Sequence, residues 1–169
     1  MRMVNFVGMI PRKSVSKEQA LQKVRHYCGY QERCHAEVKE KLYSFGLYKQ
    51  EVEEMLSTLI EENYLNEERF AQHFAGGKFR MKQWGRKRIE YELKQKQLSD
   101  YCIRKGLKEI DENDYRKTLG KLAEQKWDQL KEEDNIYNKR KKLSDYLVQK
   151  GYEYSYISEV VLSVSNNDQ

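Results

Sequence analysis

The feature that most constrains the fold is a threefold internal repeat. With Leu42, Leu93 and Leu147 as equivalent anchors, Val38, Ile89 and Leu143 stand four residues before them, on the same helical face. Leu47, Leu98 and Tyr152 follow at five residues, and Val52, Ile103 and Ile157 at ten. Leu56, Leu107 and Val161 follow at fourteen, and Leu59, Ile110 and Val164 at seventeen. Apolar columns that align three times without a gap imply one supersecondary unit used three times.

Each unit reads as three helices. Four residues after the anchor stand Gly46, Gln97 and Gly151. A glycine there, followed by an apolar residue, is a left-handed helix stop with a hydrophobic contact behind it. Gln97 breaks the pattern and predicts either a strained non-glycine cap or a different turn. Beyond the turn a second helix runs with i, i+3, i+4, i+7 spacing, clearest in Ile157, Val160, Val161 and Val164. A further helix precedes each pair. Ser16 to Gln19 forms a capping box ahead of Ala20, Val24, Tyr27 and Cys28. Asn66, followed by Glu67 and Glu68, opens a stripe through Phe70 and Phe74. Tyr115, Leu119, Leu122, Ala123, Trp127 and Leu130 share one face of a long helix. The lone proline, Pro11, lies outside all of these segments.

The expected fold is therefore all-α, with three tandem three-helix repeats forming an elongated, curved array. Its expected parts are an N-terminal arm (1–15), repeats at 16–65, 66–110 and 111–165, and a tail (166–169). Charged residues make up 35% of the chain and mean hydropathy is -1.00, which suits solvated helices with narrow apolar stripes. The apolar run Val7 to Ile10 is too short for a signal or membrane span, so a cytoplasmic monomer with no membrane partner is expected.

No pattern of nucleophile, phosphate loop or paired carboxylates is present, so the chain reads as a binding protein without catalytic residues or cofactor. Gly76-Gly77 falls inside a helical pattern and reads as a loosened helix rather than a phosphate cradle. Cys28, Cys34 and Cys102 are expected as free thiols. His26, Cys28, Cys34 and His35 lack the paired spacing of a zinc site, and no metal is expected.

Charge is unevenly placed. Residues 1–75 carry 11 basic and 11 acidic side chains, residues 76–108 carry 11 and 3, and residues 109–169 carry 10 and 13. The excess is thus concentrated in the middle, at Lys78, Arg80, Lys82, Arg86, Lys87, Arg88, Lys94 and Lys96. A second block follows at Lys139, Arg140, Lys141 and Lys142. Such density is either a solvated face or a surface for an anion, whether nucleic-acid phosphate or acidic protein. Tandem helical DNA readers of the homeodomain type fit poorly, because the third helix of the first repeat carries Glu51, Glu53, Glu54, Glu61 and Glu62. Only the middle repeat, with Arg104, Lys105 and Lys108, tolerates phosphates there.

Taken together, Val38 to Gly46, Asn63 to Phe70 (NYLNEERF), Arg80 to Leu93 (RMKQWGRKRIEYEL) and Leu143 to Ile157 (LSDYLVQKGYEYSYI) resemble the bacterial recombination regulators of the RecX family. The resemblance covers roughly residues 18–164. Gln97 departs from the family's usual glycine, and Cys34 from its common serine. The resemblance implies a chain that binds the RecA recombinase filament in its groove and restrains strand exchange, ATP hydrolysis and coprotease action. DNA within the filament is a further partner it implies. A nucleic-acid-binding repeat module acting without recombinase is the alternative. With Ile89 and Leu93 facing the core, the Arg86 to Arg88 triplet is expected to point outward in part, so that charge reversal at Arg86 and Lys87 leaves stability unchanged.

Overall fold

The computed structural model describes residues 15–166, so the expected N-terminal arm and tail lie almost wholly outside the described residues. Nine helices and no strands occur among the described residues. They fall into two compact units, Met1–Asn66 and Glu67–Gln169.

The first unit holds α1 (Lys17–Tyr30), α2 (His35–Ser44) and α3 (Lys49–Glu61). The Ser16 side chain accepts from the Gln19 amide at 3.2 Å, and the Gln19 side chain accepts from the Ser16 amide at 3.3 Å. Two of the donors that every helix start leaves without partners are so satisfied. Ala20, Val24, Val38, Leu42, Val52 and Leu59 are fully buried in one core. Arg25 clamps Glu62 with two hydrogen bonds, tying α1 to the end of α3. Burial pushes the Cys28 thiol up to about 11.

The second unit contains two further three-helix sets. They are α4 (Glu67–Lys82), α5 (Arg86–Gln95) and α6 (Asp100–Leu107), then α7 (Glu112–Gln129), α8 (Ile136–Lys150) and α9 (Tyr154–Asn166). Helix α4 runs without interruption through Gly76 and Gly77. The repeated columns form the core: Ile89, Leu93, Ile103, Ile110, Leu143, Leu147, Tyr152, Ile157 and Val161 are buried, while Leu107 and Val164 are half-buried.

The turn after each anchor has the same left-handed residue. Gly46 has φ 84°, Gly151 has φ 92° and Gln97 has φ 63°. The middle repeat thus keeps the turn and carries a side chain where glycine fits best. The amide of Leu98 donates to the Leu93 carbonyl and that of Tyr152 to the Leu147 carbonyl, closing the same cap in both. Relieving the left-handed strain by Gln97→Gly is expected to raise stability by about 1 kcal/mol, read as a higher midpoint in thermal melts followed by circular dichroism. Gly120, in the middle of α7, has open space around it, and Gly120→Ala is expected to stabilise by about 0.5–1 kcal/mol.

Candidate functional site

The basic middle repeat meets the last repeat at a joint built from two helix ends. Helix α5 begins at Gly85, which has no side chain to cap it. Its first amides find partners in the other repeat: Gly85 donates to the Lys150 carbonyl at 2.8 Å, Arg86 to the Tyr115 hydroxyl at 3.0 Å and Lys87 to the Gly151 carbonyl at 2.9 Å. The acceptors include the last carbonyls of α8, so the positive end of one helix dipole faces the negative end of another. A Cβ on Gly85 would run into the Gly151 backbone, and one on Gly151 into the Arg88 backbone. Glycine is required on both sides for this approach.

Tyr115, fully buried on α7, organises the rest. Its hydroxyl donates to Glu153 at 2.6 Å, and its ring packs on Phe79, Tyr152 and Tyr156 with centroids 5.8, 5.0 and 5.7 Å away. Burial, then the hydrogen bond to Glu153, hold its phenol well above the ordinary range. The Arg86 guanidinium lies 4.0 Å from the Tyr115 ring centre and pairs with Glu112 at 2.9 Å and Glu153 at 3.9 Å. Glu112 also accepts from the Tyr156 hydroxyl at 2.6 Å and from Arg116 at 3.0 Å. Those donors, Tyr156 first and Arg86 second, hold the Glu112 carboxyl down at about 2.

This geometry corrects the outward placement expected of Arg86. Its side chain is only 20% exposed and is committed to the joint. Arg88 also turns inward, donating to the Gln149 carbonyl at 3.3 Å with its guanidinium 4.1 Å from the Trp84 ring centre. Of the triplet, only Lys87 projects into solvent. Lys78 lies over Trp84 at 5.0 Å and Phe74 at 5.3 Å, and Lys96 is 5.8 Å from both Phe70 and Phe74. Lys94 pairs with Glu90 at 2.7 Å one turn earlier. Arg80 and Lys82 are exposed at the end of α4.

In the second basic block the structure draws two of the four side chains away from solvent. Lys139 is buried, its ammonium 4.1 Å from the Trp127 ring centre, because its stem fills the space between α7 and α8. Arg140 is half-buried and donates to the Ser165 hydroxyl at 3.0 Å. Lys141 pairs with Asp145 and Lys142 with Glu133. Lys139 and Arg140 are thus drawn into the packing of repeat three, while Lys141 and Lys142 stay exposed, each paired with an acidic side chain of the same repeat.

Trp84, between Lys78 and Arg88, was not singled out by the charge pattern, although it lies in the RMKQWGRKR stretch. Arg104 and Lys108 are exposed on and just after α6, and none of the ion pairs among the described residues includes them. Among the described residues no three histidine, cysteine or acidic side chains cluster in a way that could hold a metal. No helix among them is long and apolar enough to cross a membrane.

Comparison with known proteins matches residues 66–107 to the profile for "RecX, second three-helix domain" and residues 113–161 to that for "RecX, third three-helix domain". The Regulatory protein RecX of Clostridium perfringens strain 13 is 33% identical over 133 residues, covering 78% of this chain and 62% of that protein. The chain thus spans under two thirds of that relative's length. The Regulatory protein RecX of Prosthecochloris aestuarii is 29% identical over 150 residues, covering 88% of this chain and 95% of the relative. In fold, the crystal structure of RecX from Lactobacillus salivarius superposes with a TM-score of 0.79 at 22% identity, covering 88% of this chain and 96% of the other.

Two outcomes are expected at the joint. Arg86→Glu sets a third carboxylate beside Glu112 and Glu153 and should cost about 2–4 kcal/mol, whereas Lys87→Glu should stay within about 0.5 kcal/mol of the parent in denaturant titrations. Because the Glu112 carboxyl is depressed in the folded state, its contribution is complete above its ordinary value of 4.5 and is lost as pH falls towards 2. Stability measured across that window should fall less steeply in Glu112→Gln than in the parent.

Proposed function

The chain belongs to the RecX family, and from that premise we propose that it is a negative regulator of the RecA recombinase. On this reading it binds the nucleoprotein filament in its groove and inhibits strand exchange, ATP hydrolysis and coprotease action. The two matched family domains, over 66–107 and 113–161, carry the reading. Inhibition of this kind needs no reacting group. A ligand that binds one filament state better than another shifts the population towards it by its differential affinity.

The binding surface we assign is the middle repeat, narrowed by the geometry of the joint. Lys82 and Lys87 are exposed and their side chains enter none of the ion pairs found among the described residues. Charges not matched within the chain are available to an acidic partner or to phosphates, and reversing them turns attraction into repulsion. Lys78 and Lys96 lie over aromatic rings beside them and present an ordered cationic border.

The test is a recombinase ATPase assay on single-stranded DNA with rising amounts of the parent and of Lys82→Glu/Lys87→Glu. The variant should melt as the parent does, and its inhibitory concentration should rise at least about tenfold, corresponding to ~1.4 kcal/mol. A folded double variant that inhibits as well as the parent removes the middle repeat as the binding surface. Tight DNA binding by a parent that leaves the recombinase untouched favours the independent nucleic-acid module instead.

A further inference from the structure

Arg80 on α4 and Lys117 and Lys121 on α7 line one groove of 320 Å³ between the second and third repeats, with Gln83, Thr118 and Asp114 beside them. Three cations face a single carboxylate there. Among the described residues none of the three cations takes part in an ion pair or side-chain hydrogen bond, unlike the cations of the second basic block. The groove wall is fixed by the joint, since Phe79 lines it and packs against the buried Tyr115 ring.

A second observation concerns Gly76, in the interior of α4. Glycine there weakens a helix relative to alanine, and a packing reason is needed to account for it. The Arg80 guanidinium occupies the space: a Cβ on Gly76 would stand 2.8 Å from Nη1, 3.2 Å from Nη2 and 3.3 Å from Cζ of Arg80. These three atoms are the nearest that such a Cβ would meet outside its own helix backbone. Gly76 is thus a seat in which the arginine fork lies against its own helix.

We propose that this groove is a phosphate site that holds a single nucleic-acid strand, with Arg80 seated by Gly76 as its fork and Lys117 and Lys121 as paired point charges. Lysines one turn apart on a helix stand roughly 6 Å apart, near the spacing of successive phosphates along a strand. Guanidinium and ammonium groups with a hydroxyl donor, Thr118, suit phosphate oxygens. Phe79 is the one apolar side chain among its lining residues, and three cations against one carboxylate suit a chain of phosphates better than an apolar protein segment. The proposal extends the surface assigned above and rests on it for the nature of the partner. Its test contains no recombinase, so either reading can fail alone.

The experiment measures fluorescence anisotropy of a labelled thymidine 20-mer over a series of salt concentrations. The parent is compared with Lys117→Gln/Lys121→Gln, and with Lys131→Gln/Lys141→Gln as an equal change of charge elsewhere in the same unit. Each lost phosphate contact should lower the slope of log affinity against log salt by about 0.7 for a single strand. The groove pair should therefore lose about twice that, and the control pair little. Gly76→Ala supplies the arm that folding cannot imitate: its melting point should be no lower than the parent's, yet affinity for the 20-mer should drop about threefold to tenfold as Arg80 is displaced. The site is overturned if the parent does not bind the 20-mer, or if the control pair lowers the slope as much as the groove pair. It is equally overturned if Gly76→Ala binds as the parent does, or if polyglutamate displaces the 20-mer as well as unlabelled strand does.

Discussion

The second unit depends on one contact, the mutual capping of α5 and α8. A helix start without a capping side chain leaves amides in want of acceptors, and a helix end leaves carbonyls in want of donors. Here each end answers the other, with Gly85 and Lys87 donating to Lys150 and Gly151. The arrangement tolerates no Cβ on either glycine, so the two backbones meet at a distance that side chains ordinarily forbid. Around this contact Tyr115, Arg86, Glu112 and Glu153 satisfy one another's hydrogen bonds, with Tyr115 fully buried and Glu112 at the solvent edge. Partial satisfaction of such a network is costly, which makes the relation between the two repeats a fixed one.

That joint also decides which positive charges are available for function. A basic residue whose charge is matched inside the fold contributes little to an external anion, however dense its stretch of sequence. Arg86 is neutralised by two carboxylates, Arg88 is turned to a carbonyl and an indole, and Lys139 lies buried against Trp127. Lys82, Lys87, Arg80, Lys117 and Lys121 are left facing solvent. With Arg104 and Lys108 of the α6 segment, the exposed cations without an ion pair among the described residues include members from α4, α5, α6 and α7, and no short run of sequence contains them.

The cost of this architecture appears at the turns. Gln97, Asn63 and Gln83 all adopt positive φ, a conformation disfavoured for residues with a Cβ. Gln83 directly precedes Trp84 and Gly85, and its carbonyl accepts from the Tyr152 hydroxyl at 3.2 Å. The strain at this turn is thus held by the same interface that orders the helix after it.

The sequence by itself determined the helices, their grouping in threes and nearly all of the core, because period and burial are local consequences of a repeated apolar pattern. Val38, Ile89 and Leu143 are buried as their spacing requires, and the left-handed stop at Gly46, Gln97 and Gly151 was readable from two glycines and a register. Family membership was legible for the same reason, since order and spacing of short segments survive where individual residues vary. What only the tertiary structure decided was the fate of each charge. Whether Arg86 meets solvent or Glu112 depends on a residue 26 positions away, and whether Lys139 is exposed depends on how α8 rolls against Trp127. Charge density along a chain carries no information about such pairings, because Coulombic and packing partners are chosen by proximity in space, after the helices have docked.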